Sequence, residues 1–146
     1  MKSLQNIKTV LITPPGAIID NAAAGTATVD TQGFTQARFV VALGALDIAM
    51  SAFKLRESDD SGMSGAVDVP GADFSVSPLT LPGATDDNHA FAIFVNLPGR
   101  KRYLDLSLTL GDGSAGSYIV SWCDLAGGSI VPSTATGRGL TQQAIV

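Results

Sequence analysis

Leu104, Leu106, Leu108 and Leu110 alternate with Tyr103, Asp105, Ser107 and Thr109, and nothing else in the chain constrains its fold as tightly. Successive side chains of a strand point to opposite faces, so this spacing puts the four leucines in one core-facing row. On a helix the same leucines would be spread around the axis. Gly111-Asp112-Gly113 follows, then a second β-rich run from Ser117 to Leu125, and the sequence predicts a β-hairpin. Gly111, Gly113 and Gly116 also spell G-x-G-x-x-G, the spacing of a dinucleotide-binding loop. That loop works only ahead of a helix, whose N-terminal N–H groups and dipole hold a pyrophosphate. Here Tyr118-Ile119-Val120-Ser121-Trp122 follows, and Val131–Thr136 offers no acidic residue for a ribose. The glycines read as a turn.

The rest of the chain repeats the period of two. Ala37, Phe39, Val41 and Leu43 share one face of a run from Phe34 to Leu43, and Phe91, Ile93, Val95 and Leu97 form another row. Thr9–Thr13, Ala27–Thr31 and about Ile48–Ser58 read as further strands, with shorter apolar runs at Ala66–Val69 and Phe74–Val76. Sixteen glycines and seven prolines punctuate the whole length, which suits many short strands. The expected architecture is all-β: one antiparallel β-sandwich over residues 1–126, jelly-roll-like, with about eight strands. Residues 127–146 lack periodicity and are expected to form an extended or flexible C-terminal arm.

Only 15% of the 146 residues are charged, against about 25% in typical domains, so part of the surface is expected to be buried against partners. The net charge of −4 disfavours a general nucleic-acid binder. No apolar run approaches the about 20 residues of a membrane span, and Met1–Lys8 lacks the apolar core of a signal peptide.

Catalytic chemistry finds little to use. His89 is the only histidine and Cys123 the only cysteine, too few for a structural zinc site. His89 reads as a solvated loop residue, and Cys123 as a small buried hydrophobe. Glu57-Ser58-Asp59-Asp60 and Asp86-Asp87-Asn88 offer oxygen ligands without the spacing of a calcium loop, and read as turns. Trp122, Tyr103 and Tyr118 could stack a sugar but read as core residues. No enzyme, cofactor or metal is expected. Arg100-Lys101-Arg102 is the one positive cluster and the candidate polar anchor for a partner.

Four segments carry a family resemblance: Gly44-Ala45-Leu46-Asp47, Lys54-Leu55-Arg56-Glu57-Ser58-Asp59-Asp60, Gly99–Leu104 and Gly111–Gly116. From Phe34 to Leu125 the chain resembles the capsid decoration, or cement, proteins of tailed bacteriophages. The resemblance implies a virion protein that binds the outside of a capsid and stabilises the shell, with the major capsid protein as partner. A homo-oligomer, dimer or trimer, is expected with it. A tail or head-fibre module, or a carbohydrate-binding jelly roll, stands as the alternative.

Overall fold

A computed structural model describes residues 2–145. The described residues form eight strands: β1 Lys8–Thr13, β2 Val29–Asp30, β3 Gln36–Leu43, β4 Ala52–Ser58, β5 Val67–Asp73, β6 Ala90–Asn96, β7 Tyr103–Thr109 and β8 Ile119–Ala126. One turn of helix, α1 (Lys2–Gln5), precedes them, and a short 3₁₀ turn, Thr136–Arg138, follows.

The strands make two four-stranded sheets, ordered β1-β8-β3-β6 and β2-β7-β4-β5, antiparallel throughout. The order follows from one long hairpin with its apex between β4 and β5. Its rungs are β1·β8, β2·β7, β3·β6 and β4·β5, and all four pairs are present. Rolling that hairpin up lays β8 beside β3 and β7 beside β4. The chain is a jelly-roll β-sandwich.

The alternating rows face each other across the sandwich. Phe39 and Val41 of β3, Ile93 and Val95 of β6, and Cys123 and Leu125 of β8 meet Phe53 and Leu55 of β4 and the β7 leucines. Leu104, Leu106, Leu108 and Leu110 are all buried, at 1% exposure or less. Phe53 stacks on Phe74 with ring centroids 4.0 Å apart, and Phe91 stands edge-on to both at 6.1 Å. Such offset and T-shaped pairs suit the quadrupoles of the rings.

Three expectations need correction. The leucine strand and its successor are not a hairpin, because β7 and β8 lie in different sheets. The Gly111–Gly116 segment instead crosses the end of the sandwich, where Leu110 bonds Ala22 and Ser117 pairs with Ile19. The strand expected from Ile48 begins at Ala52. Leu46 and Met50 are buried from an irregular segment, whose Met50 N–H donates to Pro82 and whose Ser51 N–H donates to Thr109. Apolar residues that plug the end of a sandwich need no ladder. Finally, the runs at 66–69 and 74–76 belong to one element, β5, and the turn that follows it.

After β8 the chain runs back along β1. Arg138 is buried, its Nε donates to the Gln5 carbonyl at 2.6 Å, and its guanidinium reaches Gln143 Oε1 at 2.9 Å. Gly139, at φ 75°, lies directly against the Thr9 carbonyl.

Candidate docking surface

The segments singled out in the sequence meet in pairs. Asp47 lies against the Gly111–Gly116 loop, where its Oδ2 accepts from the N–H of Ser114, from Ala115 at 2.9 Å and from the Ser114 hydroxyl at 3.1 Å. The three glycines are dictated by close approach. A Cβ on Gly113 would overlap the Asp47 carboxylate, one on Gly111 the Ala49 carbonyl, and one on Gly116 the Ile19 carbonyl. The loop thus does hold an anion on its backbone N–H groups, but the anion is this chain's own side chain. Those bonds, led by the Ser114 N–H, hold the Asp47 carboxyl below its usual range.

The second pair joins the basic triplet to the acidic segment after β4. Arg100 meets the buried Glu57 at 3.4 Å, and Glu57 also accepts from the Lys101 N–H at 3.2 Å. Lys101 lies 3.8 Å from Asp59. Arg102 makes a two-pronged bond to Asp30, at 2.9 and 2.7 Å, with its guanidinium 4.9 Å from the Tyr103 ring centre. That bond is the main cause that lowers the Asp30 pKa. All three cations therefore have carboxylates of this chain beside them. Asp60 and Asp86 serve turns, accepting from Gly62 and Ser64 and from Gly83, whereas Asp87 ties two segments together by accepting from the Leu46 N–H at 2.7 Å.

His89 stands exposed just before β6. Cys123 is fully buried on the inner face of β8, where desolvation pushes its thiol up to about 12. Among the described residues no three or more His, Cys, Asp or Glu side chains converge as a metal shell.

The two outer faces of the sandwich differ sharply. Over β2-β7-β4-β5 the outward residues include interlocked charges, Arg56 with Asp105 at 2.8 Å, Lys54 with Asp68 at 2.8 Å and Arg102 with Asp30, alongside Ser107 and Thr109. Over β1-β8-β3-β6 they are mostly apolar. Leu11, Trp122, Val40 and Ala92 stand in cross-strand register, with Val120, Ala42 and Phe94 around them. Phe94 is 76% exposed and Leu11 53%. The polar end of this face carries Gln36 opposite Asn96, and Arg38 bonded to Asp124 at 2.6 Å while Thr9 donates to the same carboxylate at 2.8 Å. Beside it opens a groove of about 570 Å³, lined by Leu4, Ile7, Phe94 and Ala126 among others.

The aromatic residues expected in the core are not there: Tyr118 is exposed, and Trp122 and Tyr103 are half-buried on outer faces. Period two held the signal, since Trp122 alternates with Ser121, Cys123 and Leu125, all of which point inward. The same count places Phe94 opposite Ile93 and Val95.

No protein-family model matches the chain, and no curated protein sequence matches it.

Proposed function

We propose that the protein is a structural module of a virion, which docks on the outside of a capsid shell through the outer face of the β1-β8-β3-β6 sheet. The supporting observation is the contrast between the two sheet faces: one carries interlocked ion pairs, the other the exposed Leu11, Ala92 and Phe94 around a half-buried Trp122. A monomer seldom leaves such a surface in water, and burying it against a protein supplies association energy in proportion to its apolar area. On this face the only ion pair is Arg38 with Asp124, among the described residues. Decoration needs no chemical step. Many modest contacts repeated over a lattice sum to a tight attachment.

On this reading Arg100, Lys101 and Arg102 contribute as the rigid, neutralised rim of the far sheet, because their charges already have partners within the chain. Apolar burial is also insensitive to screening, unlike exposed charge pairs. Co-sedimentation with undecorated shells across a salt series tests the proposal. The protein should pellet with the shells, with little loss as salt rises. If it stays in the supernatant at every salt concentration, the decoration role fails and a tail or head-fibre role takes its place.

A further inference from the structure

Four strands end the two sheets, and three of them carry features that discourage pairing with another chain. β1 begins at Lys8, has a register shift between Leu11 and Thr13, runs into Pro14-Pro15, and has the Thr136–Arg138 turn packed beside it. β2 is only two residues long. β5 contains Pro70 and Gly71, the latter at φ 79°, and pairs irregularly with β4. Prolines, bulges, edge charges and short length are the usual defences of an open sheet edge. β6 has none of them. Its seven residues, Ala90 to Asn96, hold no charge, proline or glycine, and its ladder to β3 runs without a break.

The direction of its free groups follows from the bonds at its two ends. Leu97 N–H donates to Thr35 at 2.9 Å, and His89 C=O accepts from Leu43 at 3.0 Å. In an antiparallel ladder these bonds fall on every second residue. Phe91, Ile93 and Val95 therefore face β3, while Ala90, Ala92, Phe94 and Asn96 turn their N–H and C=O groups to the open edge. Among the described residues no loop backbone group bonds to them.

We infer that β6 pairs with β6 of a second copy, antiparallel about a two-fold axis at Ile93. This deepens the homo-oligomeric reading above and rests on it. It is the one register that pairs all seven residues. Ala92 stands opposite the partner's Phe94, so each exposed ring lies over a methyl group, and Ala90 stands opposite the partner's Asn96. No like charges meet along the strand. The contact is self-complementary, as a two-fold requires. The axis stands perpendicular to the sheet, so the two apolar outer faces become one continuous surface on the same side of an eight-stranded sheet. Two docking faces in one plane engage a shell with the avidity of a bivalent ligand.

The test is sedimentation equilibrium of the full chain beside two variants, with amide hydrogen exchange on the wild type. Ala92→Pro removes an N–H that faces the open edge and so leaves the β3 ladder intact. Phe94→Lys adds a charge to the self-paired strand. The wild type should sediment at twice the chain mass with slowed exchange at Ala92 and Phe94. Each variant should weaken dimerisation by about tenfold or more, with an unchanged β-sheet circular dichroism spectrum. Should Ala92→Pro fail to fold, Phe94→Lys decides, because its side chain is exposed. A wild type that is monomeric at every concentration, or an oligomer that both variants leave intact, overturns the inference. Shell binding separates the two claims. A dimer that ignores shells refutes only the decoration role, and a monomer that binds them refutes only the pairing.

Discussion

Asp47 shows how single residues tie distant segments of this chain together. Its carboxylate sits on the backbone N–H groups of a loop more than sixty residues away, and Gly113 is glycine because the carboxylate occupies the space of a Cβ. Asp30 and Asp73 are likewise held below their usual range, Asp30 by Arg102 and Asp73 by the Ser75 hydroxyl and N–H. A carboxyl group whose pKa is lowered by folding stabilises the native state above its unfolded value. That contribution disappears as pH falls through the lowered value. The protein should therefore lose stability below about pH 4, where free aspartates take up protons. Asp47→Asn should lower stability at pH 7 and lower it less at pH 3, as read from urea titrations. An equal deficit at both pH values would mean that the carboxylate charge contributes nothing. Gly111→Ala should cost about 1–3 kcal/mol, the range for forcing atoms into a packed space, since its Cβ would meet the Ala49 carbonyl. The glycine spacing was legible in the sequence. The role of Asp47 was not, because a close contact between residues 47 and 113 leaves no local pattern.

At the scale of strands the alternation proved a good guide to faces and a poor one to partners. Leu106 illustrates the first half: the row predicted it inward, and it is 1% exposed. Leu106→Ala should destabilise by about 2–5 kcal/mol in chemical denaturation, the usual range for a buried leucine. A loss below about 0.5 kcal/mol, the range of surface changes, would contradict the packing described. The second half is seen at Gly111–Gly116, where a glycine-rich break between two strands fits either a hairpin or a crossing. Period two cannot say which sheet receives the next strand. The segment before β4 shows a related limit, because Leu46 and Met50, which close the end of the sandwich, sit in a run that looks locally like a strand. Trp122 lay within reach of sequence reasoning, since counting by twos from Cys123 and Leu125 turns it outward.

The whole molecule has a polar back and an apolar front, and that division is the basis of the account. Composition alone gave the shortage of charge. Which face carries fewer charges depends on how the strands assort into sheets, and so became visible only in three dimensions. Charge substitutions on the two faces test the division most directly. Leu11→Lys and Phe94→Lys alter the apolar face, while Ser107→Lys alters the ion-paired one, and all three sites lie on outer faces where a lysine can reach water. The measurement is co-sedimentation of each variant with undecorated shells at one fixed salt concentration. Leu11→Lys and Phe94→Lys should each reduce the bound fraction severalfold, while Ser107→Lys binds like the wild type. Equal binding by all three, or selective loss with Ser107→Lys, would contradict docking through the β1-β8-β3-β6 face.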